Sequence, residues 1–414
     1  MPVSASSART AARSLSVDEA LQRILARVTQ LDPTSMDLLD ALGTALAEDI
    51  VADRDVPPFR NSAMDGYAVV GADVAEIPVV LRVVGDIAAG DFPSRPIVRG
   101  EAMRIMTGAP MPDGADTVVR VEDTDNGSTA VQIHAVTRPG TSVRAAGEDL
   151  RAGETVLTRG TVLRPAEIGV LATLGHKTVR VTRPPRVAVI STGDELVELD
   201  APLRPGQIRD ANRYSLVSAA RAVGATPVPL GIVPDTVDDL RHALRAASST
   251  ADVIVTSGGV SVGDHDHLKP VVDELGSMDF WSIAIRPGRP LAFGEIGGKP
   301  IFGLPGNPVS ALLGFELFVR PALLKMAGRR LLHRPRVTAT LDDTLDTPPG
   351  LRFFARGIYD PMANTVRTTG PQGSGILRSM ALANCFIDVP ETVRHLDRGA
   401  AVTVIRTDLP EDHS

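Results

Sequence analysis

Four apolar runs between residues 186 and 304 constrain this chain more than any other feature. RVAVIST (186–192), TPVPLGIV (226–233), ADVIVTSGG (251–259) and IFGL (301–304) are short and rich in β-branched residues. A strand with one wet face alternates polar and apolar residues; a strand covered on both faces does not need to. Helical stretches separate the runs. One covers about 212–223 with Asn212 as its N-cap, one is capped by Asp235 and reaches about 247, and one runs from 309 to about 325. This alternation predicts a parallel, doubly wound α/β sheet. In such a sheet ligands bind beyond the carboxyl ends of the strands, so the loops leaving these runs are where chemistry is expected.

The rest of the chain divides at proline-rich breaks. Pro57-Pro58 precedes VVLRVVGDI, AMRIMTGAP, DTVVRVED and AVQIHAV, which read as a compact β-rich unit over 60–145. Residues 146–183 carry a short helix after Pro165 and end at Arg183-Pro184-Pro185. Beyond Arg334-Pro335, five short alternating strands read as a small β-barrel or sandwich. At the N-terminus, Ser16 and Glu19 form a capping-box pattern, and Leu21, Ile24, Leu25 and Val28 repeat at helical spacing. A second amphipathic segment is expected over about 36–47. Residues 1–14 lack acids but have no apolar h-region, so a frayed tail is expected there rather than a targeting peptide.

Composition narrows the classes of function. The chain of 414 residues has 43 Lys+Arg against 50 Asp+Glu, a net charge of −7, which gives no basic surplus for nucleic acid. Ten Phe, three Tyr and one Trp are too few for rows of base-stacking rings. No apolar run approaches the ~18 residues that cross a bilayer. Cys385 stands alone, so neither an internal disulfide nor a cysteine zinc site is expected. The reading is a soluble cytoplasmic protein without nucleic-acid or membrane partners.

Three loops follow the sheet's runs. The first, Ser191-Thr192-Gly193-Asp194-Glu195-Leu196, places hydroxyls and two acids after RVAVI. The second, Thr256-Ser257-Gly258-Gly259-Val260-Ser261-Val262-Gly263-Asp264-His265-Asp266, is glycine-rich, so that backbone N–H groups can surround an anion. It matches neither a dinucleotide fingerprint nor a Walker loop. The third, Gly303-Leu304-Pro305-Gly306-Asn307-Pro308-Val309-Ser310, is stiffened by two prolines, with Asn307 suited to an N-cap and Pro308 to the first helical position. Between the last two lies Ile285-Arg286-Pro287-Gly288-Arg289-Pro290, whose two guanidinium groups suit an anion with several oxygens. The β-rich unit adds Asp65 in a tight turn and Thr107 in a rigid one. Each of these segments taken singly is also an ordinary turn; together they combine anion-binding groups with the carboxylates Asp65, Asp149, Glu195, Asp235, Asp264 and Asp266. Acids beside phosphates repel unless a cation lies between them, and Mg²⁺ takes carboxylate, phosphate and water oxygens. No Ser–His–Asp or Cys–His arrangement supports covalent catalysis.

The runs PFRNSAMDGYAV, MTGAPMPDGADTVV, GEDL, STGDELV, PGQIRDANRYSL, TSGGVSVGDHD, IRPGRPLAFG and GLPGNPVSALL resemble the signature of the molybdopterin molybdenumtransferase family, the MoeA-type proteins and the E domain of gephyrin. The resemblance covers about residues 15–407. It implies a multi-domain α/β protein: an elongated N-terminal domain (1–59 plus 146–183), an inserted β-rich domain (60–145), a molybdopterin-binding doubly wound α/β domain (184–330) and a C-terminal β-barrel (331–410). It implies a homodimer whose active site lies between the α/β domain of one chain and the inserted domain of the other. The implied reaction is Mg²⁺-dependent insertion of molybdate into adenylyl-molybdopterin, with release of AMP. Thr192, Ser257, Gly258, Gly259, Ser261 and Gly263 would cradle the substrate's phosphates. Glu195, Asp264 and Asp266 would hold Mg²⁺, and Asp235 would shape the pocket. Arg286 and Arg289 would attract molybdate, and Pro305, Gly306, Asn307 and Pro308 would form the third wall. Asp65 and Thr107 would enter from the second copy, and Ser374 and Ser379 would help hold the oxyanion. The molybdopterin adenylyltransferase is an implied partner. The family often has Lys where Arg286 and Arg289 stand, and Glu where Asp264 stands. Two other readings share parts of the pattern: the adenylyltransferase itself, whose α/β domain is similar, and a binding scaffold of the gephyrin kind.

Overall fold

A computed structural model describes residues 14–260 and 267–411. The expected tail, and the expected ligands Ser261, Gly263, Asp264 and Asp266, lie outside the described residues.

The central sheet has six strands in the order Thr226–Val233, Arg186–Thr192, Val253–Ser257, Lys299–Leu304, Ala292–Ile296, Gly276–Phe280. The first four are parallel, as their apolar character predicts. Ala292–Ile296 runs antiparallel to both of its neighbours, Lys299–Leu304 and Gly276–Phe280, which departs from the expected all-parallel sheet. The reason is local. Gly297 and Gly298 both have positive φ, 55° and 75°, and join Ala292–Ile296 to Lys299–Leu304 as a two-residue hairpin. Helices Ala211–Ala222 and Val237–Thr250 follow the first two parallel connections. Their caps differ from expectation. Asp210, not Asn212, receives Arg213 N–H, and Thr236, not Asp235, receives Asp239 N–H. In both places the true cap lies one or two residues from the expected one, which frees Asn212 and Asp235 for other contacts. The helix after the third loop starts at Pro308, passes through a π turn at Phe315–Val319 and continues through Arg320–Met326. Pro321 lacks the N–H that an unbroken α ladder requires.

The N-terminal helix Val17–Arg27 has the capping box that Ser16 and Glu19 predict. It buries Val17, Ala20 and Ile24 in the core that also holds Phe293, Phe302, Phe318 and, from the C-terminal unit, Phe354 and Phe386. The expected amphipathic segment at 36–47 is not helical. Pro33–Asp37 is a strand paired with Thr178–Thr182, and turns follow, ending at Gly43 with φ 80°. Cross-strand pairing wins over the helical periodicity because Leu39 and Leu42 face solvent and have no core to bury in. Ile50–Val51 also pairs with Thr155–Leu157, so the chain leaves this unit and returns to it around the inserted domain. The insert is a five-stranded sheet in the order Thr117–Arg120, Gly66–Val69, Glu101–Ile105, Val79–Ile87, Ala130–Ile133. The last unit closes on itself as a five-stranded barrel. Arg352–Asp360, Thr365–Thr368, Arg336–Leu341, Ala401–Arg406 and Cys385–Val389 pair in turn, and Cys385–Val389 pairs back with Arg352–Asp360. Among the described residues no helix is long and apolar enough to cross a membrane.

Candidate active site

The parallel strands Arg186–Thr192 and Val253–Ser257 end level with each other, Ser191 opposite Ser257. Their loops then touch through backbone. Gly258 has φ +93°, and a Cβ there would sit 2.4 Å from Thr192 O. Only glycine fits both the torsion and the gap. Thr192 is buried, and its hydroxyl donates to Asp235 Oδ1 at 3.3 Å. Asp235 thereby reaches the cleft from the end of the neighbouring strand Thr226–Val233.

The third loop joins from the other side. Gly258 N–H donates to Leu304 O at 3.0 Å. Asn307 occupies the N-cap position with Pro308 after it, as predicted, although the Asn307 side chain makes no capping bond. Asn212 Nδ2 donates to Ser257 Oγ at 2.8 Å and to Gly306 O at 2.7 Å. Asn212 is absent from the expected site residues because it reads as a cap. Asp210, two places earlier and better suited to that role, is the signal that could have released it.

Together these loops line a cleft of 430 Å³ that collects Thr192, Glu195, Asp235, Ser257, Gly258, Gly259, Pro305, Gly306, Asn307 and Pro308. Leu196, Ile208 and Val260 add apolar lining, and Pro290 contributes the end of the arginine loop. The cleft thus offers backbone and hydroxyl donors, carboxylates and an apolar wall for a flat ring.

Arg286 and Arg289 are exposed and do not line this cleft. Among the described residues, neither guanidinium has a hydrogen-bond or ion-pair partner. Their loop is nonetheless pinned: Ile285–Arg286 pairs with Arg352 and Phe353 of the barrel, and Ile283 bridges Leu15. Asp65 and Thr107 lie in the inserted domain, outside the cleft of their own chain. Thr107 donates its N–H and its hydroxyl to Asp65 Oδ1, and these bonds hold the carboxyl below the usual carboxylate range. Asp149 lies in a separate depression with Asn61, Arg144 and Glu148.

The structure parts the two expected serines. Ser374 O accepts from Val309 N–H at 3.1 Å, so its segment abuts the third loop. Ser379 is buried; it accepts from Arg356 Nε at 3.0 Å and donates to Ile376 O at 2.7 Å. Arg356 is fully buried, and burial pushes its guanidinium down to about 10. Its Nη2 donates to Gly373 O at 3.1 Å, while Nη1 has no partner among the described residues. A buried cation without a carboxylate is costly. Sequence reasoning passed over it because an arginine in a strand normally points to water.

Among the described residues no group of three His, Cys, Asp or Glu side chains is assembled to hold a metal ion unaided. Mg²⁺ does not need one. It binds through one or two carboxylates and completes its octahedron with water and phosphate oxygens. Glu195, the expected metal ligand that lies among the described residues, lines the cleft and offers such a carboxylate.

Comparison with known proteins accounts for the whole arrangement. Residues 15–175 match the MoeA N-terminal region (domain I and II), 188–325 the probable molybdopterin-binding domain, and 338–406 the MoeA C-terminal region (domain IV). The chain is 41% identical over 397 residues to molybdopterin molybdenumtransferase 2 of Mycobacterium tuberculosis, covering 92% of this chain and 97% of the relative. It is 37% identical over 401 residues to the molybdopterin molybdenumtransferase of Haemophilus influenzae, covering 94% and 98%. The crystal structure of the molybdopterin biosynthesis MoeA protein from Pyrococcus horikoshii OT3 superposes with a TM-score of 0.83 at 30% identity, over 95% of this chain and 100% of that one. With three family regions in order, near-complete coverage and the barrel and insert both present, this chain belongs to the MoeA family, the molybdopterin molybdenumtransferases.

Proposed function

We propose that this protein inserts molybdate into adenylyl-molybdopterin in a Mg²⁺-dependent reaction, releasing AMP and leaving Mo-molybdopterin, in the cytoplasm. The observation that carries the reading is the cleft itself, where the loops leaving three parallel strands set donors and carboxylates around one space of 430 Å³. The Gly259 N–H and the Ser257 hydroxyl, which accepts from Asn212 and keeps its own proton to donate, bind phosphate oxygens, with Thr192 beside them. Glu195, with Asp264 and Asp266, would hold Mg²⁺, which supplies positive charge against the pyrophosphate oxygens. Asp235, fixed by Thr192, sets the width of the pocket. The exposed cations Arg286 and Arg289 draw in the molybdate dianion and offset charge that develops on the leaving phosphate. As forks rather than point charges, they contact two oxygens each.

Asp65 and Thr107 complete the site from a second copy of the chain, which accounts for a carboxylate firmly held by two donors yet outside the cleft of its own chain. The adenylyltransferase that makes the substrate is the natural partner for transfer of a labile intermediate. The test is to incubate the purified protein with adenylyl-molybdopterin, molybdate and Mg²⁺ and to follow AMP and bound molybdenum. Release of AMP together with molybdenum on the pterin, both lost in EDTA and regained with Mg²⁺, is the expected result. A protein that binds the pterin and never releases AMP would be a scaffold instead, and one that consumes ATP to adenylylate molybdopterin would be the upstream enzyme.

A further inference from the structure

We infer that Asn212 sets the distance between the second and third loops of the cleft and so acts as a positioning residue for the ligand; the inference deepens the proposed transferase reading and rests on its placement of the substrate.

The second and third loops continue two strands of the central sheet. Their strands, Val253–Ser257 and Lys299–Leu304, are adjacent and in register up to Ser257 opposite Leu304. Past that point the ladder ends. Among the described residues one backbone bond remains, Gly258 N–H to Leu304 O at 3.0 Å. A Cβ at Gly306 would meet only Gly258 Cα, at 3.9 Å, so the two loops leave an open gap there, while Val260 packs lower down against Gly303. Glycine-containing segments so lightly tied at the open end are free to change their spacing.

Asn212 supplies the missing constraint from a third element. It stands in the first turn of helix Ala211–Ala222, which Asp210 caps by accepting Arg213 N–H at 3.0 Å while also accepting from Ser191 Oγ at 3.0 Å. The helix start is therefore anchored to strand Arg186–Thr192, not to either loop. From that fixed base one carboxamide nitrogen uses both of its hydrogens, one to Ser257 Oγ at 2.8 Å and one to Gly306 O at 2.7 Å. A single sp² nitrogen with two hydrogens in one plane fixes both the separation and the relative angle of its two acceptors. It also turns Gly306 C=O toward the helix, and peptide planarity then sends Asn307 N–H the opposite way. All three residues line the cleft. A ligand bridging the loops meets them already spaced, which lowers the ordering cost of binding.

The test uses the full-length protein and two variants. Asn212→Asp keeps the size and shape but has no donor; Asn212→Ala removes the group. With each, KM and kcat for AMP release from adenylyl-molybdopterin are measured, along with hydrogen exchange of the Gly258–Val260 and Gly306–Asn307 amides and the thermal midpoint. The inference expects both variants to raise KM roughly tenfold, from two lost neutral hydrogen bonds, with kcat within about twofold. It also expects faster exchange in the two loops and unchanged exchange in helix Ala211–Ala222. If Asn212→Asp keeps wild-type KM and wild-type loop exchange, Asn212 only fills space and the inference is wrong. If the wild-type protein releases no AMP, the transferase reading fails, and loop exchange alone then decides the role of Asn212.

Discussion

Thr107 gives both its backbone N–H and its hydroxyl to the same oxygen of Asp65, at 2.7 and 2.8 Å. Asp65 is thus held ionised and oriented through one of its two carboxylate oxygens. Because the folded-state pKa is lowered, Asp65 stays ionised to more acid pH than a free carboxylate and protonates only as pH falls through that lowered value. Thr107→Val removes the hydroxyl bond and keeps the amide bond. Its acid limb of activity should move to higher pH, as measured in a pH–rate profile, with the Asp65 carboxyl resonance titrating upward in NMR. An unmoved limb would separate Asp65 from the reaction.

A composite site makes a prediction about mixing. Asp65→Asn and Glu195→Gln should each lose activity by roughly 10²-fold or more if these carboxylates act on the reacting groups. Refolded together, the two inactive chains should recover about a quarter of wild-type activity, since half of the pairs are mixed and each mixed pair has one intact site. No recovery, with dimers demonstrably mixed, would put Asp65 and Glu195 in the same chain's site or remove Asp65 from it.

Gly258 can accept no side chain. Alanine there would combine φ +93° with a contact of 2.4 Å to Thr192 O. Gly258→Ala should cost about 1–3 kcal/mol in denaturant unfolding. It should cost more in function, because relief requires moving the first loop away from the second. Binding of AMP with Mg²⁺, measured by calorimetry, should weaken even where the variant is fully folded.

The junction before the central sheet rests on Arg183 and Asp252, which meet through two bonds of 2.6 and 2.7 Å, while Arg186 N–H adds a third to the same carboxylate at 2.8 Å. Burial pushes Asp252 up, but the bonds to Arg183 and Arg186 outweigh it, and the net shift is downward. Asp252→Ala should cost about 2–4 kcal/mol at neutral pH. The sign of the pH effect follows from the lowered folded-state pKa. The stabilisation is complete above the unfolded value of about 4 and is lost as pH falls through the folded one. Urea midpoints of wild type and variant should therefore converge on acidification.

Arg356 tests the opposite balance. Replacing a buried cation that lacks a carboxylate with methionine should leave the barrel as stable or make it more stable by about 1–2 kcal/mol, read from thermal unfolding. Activity should fall all the same, because Arg356 holds Gly373 and Ser379 on either side of the segment whose Ser374 O receives Val309 N–H. Equal losses in stability and activity would mean that the guanidinium is merely structural.

The sequence by itself determined the architecture and most of the cleft. Its apolar runs placed the four parallel strands, and its three Gly/Pro loops hold nine of the expected site residues that line one space, with Asp235 as a tenth from the end of another strand. Strand ends and loop composition are local, so they are legible in order along the chain. Tertiary structure decided what depends on partners distant in sequence. Cross-strand pairing with Thr178–Thr182 made 33–37 a strand against the local periodicity. A glycine hairpin turned Ala292–Ile296 against its neighbours in the sheet. Asp210 took the cap and left Asn212 free to reach Ser257 and Gly306, the latter 94 positions away. Arg356 lost its water only because the barrel closed around it. A side chain's hydrogen-bond partners and its desolvation are set by what folds against it, and no window along the chain contains that information.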